Sequence, residues 1–174
     1  MYRIKDISKK YGELSVLERV SIDFASGVTT CILGPSGCGK TTILKILSGL
    51  EVSDTGTVEG FAGGDISIVF QEDRLIPWKT VDENLEFVLS GRRELKGKVV
   101  EEYLDRLGLL EYRDYYPSKL SGGMRKRIAI LRALLYPSKV MLMDEPFSSV
   151  DVSNKILTMG FFKELMAEEK RTCI

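Results

Sequence analysis

Nine residues, GPSGCGKTT at positions 34–42, limit what this chain of 174 residues can fold into more than any other feature. Gly34, Gly39, Lys40 and Thr41 fit the pattern G-x-x-x-x-G-K-[S/T]; Pro35, Ser36, Gly37 and Cys38 fill the gap, and Thr42 follows. Such a loop belongs between a strand and a helix. Small residues let backbone N–H groups close on phosphate oxygens, and the following helix aims the positive end of its dipole at the same point. Both flanks agree. VTTCIL at 28–33 is β-branched and mostly uncharged, which predicts a buried strand. Ile43, Leu44, Ile46, Leu47 and Leu50 recur at helical spacing, which predicts a helix over 41–50. In this setting Lys40 reaches the β- and γ-phosphates of a nucleotide, and the Thr41 hydroxyl meets Mg²⁺. A merely Gly-rich turn would not need the Lys-Thr pair or these flanks.

The rest of the chain supplies a frame for that loop. VSIDF at 20–24 alternates as a half-buried strand does, and DISIVF at 65–70 reads as another strand. Thr80 and Glu83 form a capping-box pattern. Val100, Tyr103, Leu104 and Leu107 predict a helix over 98–107, stopped by Gly108. Ile128, Leu131, Leu134 and Leu135 mark a helix closed by Pro137, and residues 154–169 form one capped by Ser153. Strands alternate with helices at both ends, while 72–135 lacks strand signals. The expectation is an α/β fold with a largely parallel sheet: a core of about 1–71 and 136–174, and a helical insert of about 72–135.

Composition narrows the function. The chain is 44% hydrophobic and 29% charged, with 25 basic and 25 acidic residues. A balanced charge removes the electrostatic case for nucleic acid as a partner. No apolar run reaches the roughly 18 residues of a membrane span, and MYRIKDISKK lacks the apolar core of a signal peptide. A cytosolic location is expected. Cys31, Cys38 and Cys173 show no zinc or disulfide spacing and are expected to be reduced thiols. Histidine is absent, which excludes chemistry that needs an imidazole.

Two further stretches carry chemistry. VMLMDE at 140–145 is an apolar strand ending in two acids. Asp144 is placed to hold a metal, and Glu145, one residue on, to polarise an attacking water. LSGGM at 120–124 sets Ser121, Gly122 and Gly123 at a helix start. Taken alone, that is an ordinary N-cap. The basic run Arg125, Lys126 and Arg127 behind it reads as a solvated helix face.

The order of glycine cradle, Gln71, LSGGM and Asp-Glu strand resembles the ATP-binding-cassette ATPases across essentially the whole chain. The resemblance implies a P-loop NTPase (RecA-like) core with an N-terminal antiparallel β part and a helical subdomain insert. It implies ATP and Mg²⁺ as ligands, hydrolysis of ATP, and a head-to-tail pair of cassettes, either a homodimer or two paired subunits. Each ATP then lies between the cradle of one subunit and Ser121, Gly122 and Gly123 of the other, so the second anion site needs no lysine of its own. It further implies Tyr11 stacked on adenine, Gln71 in contact with Mg²⁺ as a catalytic residue, and Asp151 in a loop that crosses between subunits. FQEDRLIPWKTVDENL at 70–85 looks like the cassettes of nitrate, sulfonate and taurine importers. By that likeness, the region from Gln71 to Leu85, with Pro77 and Trp78, meets a membrane-embedded permease subunit, and a solute-binding protein acts indirectly. Trp78 could equally cover the core of the insert. The location implied is peripheral, at the cytoplasmic face of the inner membrane.

The chain also departs from that pattern. Met124 replaces the usual Gln, and Ser149 and Val150 replace Ala and Leu. The sequence stops at RTCI, which reads as the start of a strand that the family follows with a histidine. The expectation is a C-terminally truncated cassette that binds nucleotide and hydrolyses it slowly. The alternatives are a cytosolic non-transport cassette and a binding module with little turnover.

Overall fold

The computed structural model describes residues 1–61, 64–89, 97–148 and 150–174. These form two compact units. The first comprises Met1–Ile68, Ser138–Asp144 and Lys170–Ile174; the second comprises Val69–Pro137 and Glu145–Glu169.

The first unit holds two small sheets. In one, β1 (Tyr2–Tyr11) lies between β2 (Leu14–Phe24) and β3 (Thr55–Glu59), antiparallel to both. The β1–β2 register breaks around Asp6 and Arg19, which take left-handed φ values of 51° and 49°. Side chains take up the amides freed there: Asp6 N–H donates to Ser21 Oγ at 2.9 Å, and Arg19 N–H donates to Ser8 Oγ at 3.1 Å. These bulges twist the ribbon without leaving its donors unpaired. The other sheet runs β4 (Ile66–Val69), β5 (Val140–Met143), β6 (Thr172–Cys173), with β5 and β6 parallel. Helix α1 (Lys40–Leu47) packs Ile43, Leu44, Ile46 and Leu47 against Ile4, Ile7, Leu17 and Phe24 of the first sheet and Val140, Leu142 and Ile174 near the second. Each such side chain contributes about 1.5–3 kcal/mol when fully buried.

Several expectations change here. Residues 28–33 form no strand among the described residues: one bridge joins Thr29 to Cys173, Val28 is exposed, and Leu33 is 85% exposed. A β-branched composition is not enough, because a ladder needs a neighbour, and the two residues of β6 supply only a short one. Leu50 is exposed because α1 ends at Ser48 and Gly49 turns the chain with φ 73°. Strand β3 carried no apolar signal, being mostly exposed; backbone pairing to β1 holds it.

Among the described residues, the second unit holds helices and no strand between β4 and the end of α4. Helix α2 (Val81–Phe87) opens with the expected capping box: Thr80 Oγ1 accepts from Glu83 N–H at 3.2 Å, and Glu83 Oε2 accepts from Thr80 N–H at 2.8 Å. Asn84 is fully buried, and its amide bonds Ile76 N–H, Ile76 O, Lys79 O and Thr80 O, which shapes the loop carrying Pro77 and Trp78. Helix α3 (Lys98–Arg106) buries Val100 and Leu104, with Leu107 buried just beyond, and Gly108 follows with φ 63°. Helices α4 (Gly122–Leu135) and α5 (Val152–Glu169) complete the unit. Phe161 of α5 meets Tyr103 of α3 edge to face at 5.1 Å. The cap of α5 is Asp151 rather than Ser153: Asp151 Oδ1 accepts from Asn154 N–H at 3.1 Å. Among the described residues no helix is long and apolar enough to cross a membrane.

Candidate functional site

The nucleotide cradle is the loop 34–39 leading into α1. Gly39 occupies the N-cap of α1 at φ 94°, and no side chain caps the helix. A Cβ at Gly39 would lie 2.7 Å from Leu17 Cδ2 and 3.2 Å from the Val16 carbonyl oxygen. Both the backbone conformation and the packing on β2 therefore require glycine. Gly34 is less confined: its Cβ would come 2.6 Å from Cys38 Sγ, the end of an exposed side chain that can move aside. Gly37 has φ 82°. Pro35, Ser36 and Cys38 are exposed on the arch, and Thr42 is half-buried behind it. The Lys40 ammonium bends back over the loop, donating to Gly34 O at 2.9 Å and Pro35 O at 2.8 Å. A helix start without a capping side chain, beside an ammonium held only by two loop carbonyls, offers donors and positive charge, the complement of a phosphate chain.

Next to it, Thr41 Oγ1 donates to Asp144 Oδ2 at 2.8 Å. The first turn of α1 and the end of β5 thus bring together a hydroxyl and a carboxylate separated by 103 residues. Both are hard oxygen ligands, suited to Mg²⁺ that also binds phosphate and water. The residues present fit Mg·ATP.

Glu145 belongs to the second unit and opens its second segment. Its backbone is left-handed, φ 45°, a strained state for a non-glycine residue, and such states cost roughly 1–3 kcal/mol. Its carbonyl accepts from the N–H and the hydroxyl of Ser148 at 3.2 and 3.1 Å. That turn holds the backbone and leaves the carboxylate side exposed.

Within the second unit, Ser121 is the N-cap of α4, and its Oγ accepts from Met124 N–H at 3.2 Å. Gly122 and Gly123 are the first two helical residues. Gln71 is exposed just after β4. The basic run is not a solvated face. Lys126 is fully buried and donates to Phe70 O at 2.6 Å and Gln71 O at 2.9 Å. Arg127 is 7% exposed and donates to Leu107 O, while burial lowers the pKa of its guanidinium. Arg125 pairs with Asp73 at 3.1 Å. Carbonyls and one carboxylate hold these cations, although the buried Arg127 Nε has no hydrogen-bond partner among the described residues. Lys126 thus ties the backbone at Gln71 to the helix that starts at Ser121. The sequence does hold a signal for this. Ile128, Ala129, Ile130 and Leu131 are consecutive and apolar, so α4 is buried all round, and Lys126 lies one turn before Ile130.

Asp151 also receives the Asn154 side-chain amide at 2.8 Å. That bond, then the Asn154 backbone N–H, holds its carboxyl below the usual range. Trp78 is 75% exposed and so does not cover the core of the insert. Ser149 lies outside the described residues. The cysteines are free thiols, and burial pushes Cys173 up to about 12. Tyr11 ends β1, is 44% exposed as a residue, and has its hydroxyl 3.3 Å from Glu51 Oε2.

Comparison with known proteins identifies the family. A family model described as ABC transporter matches residues 17–148. The aliphatic sulfonates import ATP-binding protein SsuB of Burkholderia pseudomallei (strain K96243) is 38% identical over 176 residues, spanning 99% of this chain and 53% of that protein. SsuB 1 of Rhodococcus jostii (strain RHA1) is 38% identical over 172 residues, spanning 97% of this chain and 69% of that one. The chain spans about half the length of the Burkholderia relatives it matches. Among solved structures, a dimeric post-hydrolysis state of the ATP-binding cassette MJ0796 bound to ADP and Pi superposes with a TM-score of 0.86 at 30% identity, covering 99% of this chain and 86% of that one. The fold is the mixed α/β P-loop fold of the cassette ATPases, and the chain belongs to the ABC transporter family.

Proposed function

We propose that this chain is the ATP-binding and ATP-hydrolysing part of a membrane importer subunit, acting as a head-to-tail pair of cassettes at the cytoplasmic face of the membrane. The observation that carries this reading is the Thr41–Asp144 hydrogen bond beside an uncapped, lysine-covered helix start. The backbone of 34–39, with Lys40 and Thr42, binds the phosphates; Lys40 exchanges its two loop carbonyls for phosphate oxygens. Thr41 and Asp144 would hold Mg²⁺, which would neutralise phosphate charge, and by the likeness to the cassette ATPases Gln71 would touch the same ion. Glu145 orients water and accepts its proton, a role that typically contributes about 10²- to 10⁴-fold in rate. Tyr11 stacks on adenine. Ser121, Gly122 and Gly123 close on the nucleotide of the partner cassette, and Asp151 lies at the same junction.

The importer reading draws on the relatives named for aliphatic sulfonate import and on the exposed Pro77 and Trp78 in the segment that follows Gln71. The segment from Gln71 to Leu85 meets the membrane-embedded permease. Solute choice is assigned to the permease and solute-binding partners. The test is calorimetric titration of the chain with Mg·ATP. Lys40→Ala should bring affinity below detection, and Asp144→Asn should remove the dependence of binding on Mg²⁺; undiminished binding by Lys40→Ala would refute the cradle.

A further inference from the structure

Tyr11 does not stand alone. The Lys9 ammonium sits 5.3 Å from the centre of its ring. The Lys9 side chain is only 12% exposed, and its ammonium is fully engaged: Glu51 Oε1 at 2.7 Å, Val52 O at 2.7 Å and Asp54 Oδ1 at 3.5 Å. Glu51 uses its other oxygen to accept from the Tyr11 hydroxyl. The ring is thus held at its edge by a carboxylate and over its plane by a cation that the same carboxylate fixes. Glu51 is itself anchored. The amides of Leu50 and Glu51 both donate to Lys45 O in the last turn of α1, at 2.9 and 3.1 Å. Asp54 adds two ties to β1, donating its N–H to Ser8 O and accepting from Lys10 N–H.

We propose that Lys9 and Glu51 are positioning residues for the nucleobase: they fix the Tyr11 ring as a wall of the base site and fasten that wall to the helix whose other end receives the phosphates. This rests on Tyr11 being the base-stacking residue. A preset ring spares the loss of rotamer freedom that stacking would otherwise impose, and a cation over one ring face leaves the other for the base. The distance between base and phosphates is then set by the length of α1 rather than by a mobile side chain.

The experiment compares two ligands on the full chain: Mg·ATP, and Mg·tripolyphosphate, which lacks a base. Lys9→Met and Glu51→Gln should each weaken ATP roughly three- to tenfold and leave tripolyphosphate unchanged. Lys9→Arg, which keeps a cation over the ring, should restore ATP affinity. Tyr11→Ala should weaken ATP at least as much, and adding Lys9→Met to it should cost nothing further. If ATP binds both single variants as tightly as the parent while Tyr11→Ala weakens it, the positioning role is refuted and the stacking reading survives. If Tyr11→Ala itself has no effect, or the parent binds ATP no better than tripolyphosphate, the stacking reading fails first. Parallel loss of both ligands would show a general structural role and overturn the inference.

Discussion

The starts of α1 and α4 are both glycine-rich helix N-termini, yet they are built in opposite ways. At α1 the cap is Gly39, left-handed and without a side-chain acceptor, and a lysine ammonium covers the loop. At α4 the cap is Ser121, whose hydroxyl already satisfies the Met124 amide. At the first start no side chain accepts from the orphan amides; at the second Ser121 accepts from one of them. A helix start without a capping side chain offers all its orphan amides to an anion. One with a serine cap offers fewer, which suits a loop proposed to serve a nucleotide held mainly by another subunit.

That contrast can be broken in graded steps. The largest effect should come from Gly39→Ala. The left-handed backbone alone costs about 1–3 kcal/mol, and the clash with Leu17 adds to it. Thermal melts should show marked destabilisation and calorimetry no Mg·ATP binding; a stable, binding variant would show that the loop does not need its conformation. Removing the other cap is milder. Ser121→Ala should cost about 1 kcal/mol, roughly 2–4 °C in melting temperature, with Mg·ATP affinity of the single chain unchanged. Ser121→Asp sharpens the point, since it keeps a cap but adds a negative charge. Stability should hold while nucleotide-driven pairing, followed by light scattering, is lost. Pairing equal to the parent would remove this loop from the partner's nucleotide.

The smallest effect concerns a third helix start. Asp151 caps α5 with a carboxyl held below its ordinary pKa. A group depressed on folding contributes stability above its unfolded value, about 3.9, and loses it as pH falls through the lower folded value. Acid titration of the parent against Asp151→Asn should therefore show an extra loss in the parent below about pH 4. Identical acid curves would mean that the cap is not felt.

Much of the candidate site was legible because it is local. The glycine pattern, the Thr80–Glu83 box and the acid pair after β5 each follow from a few adjacent residues, and each contains the group that satisfies its own backbone or plainly lacks one. The readings that changed are those that depend on distant neighbours. VTTCIL has strand composition but too short a ladder partner. Arg125, Lys126 and Arg127 look solvated until carbonyls from residues 20 and about 55 positions away are seen to hold two of them. Tyr11 was a lone aromatic in the sequence; its partner Glu51 lies 40 residues on.

By itself, then, the sequence determined which segments could bind phosphate and metal, because backbone conformation and side-chain chemistry there are set within one turn of helix or loop. Tertiary structure alone decided which charges are buried, which apolar stretch becomes a strand, and how the Tyr11 ring is oriented. Those outcomes depend on which carbonyl, carboxylate or strand edge arrives from far along the chain, and residue type and spacing do not encode that arrival locally.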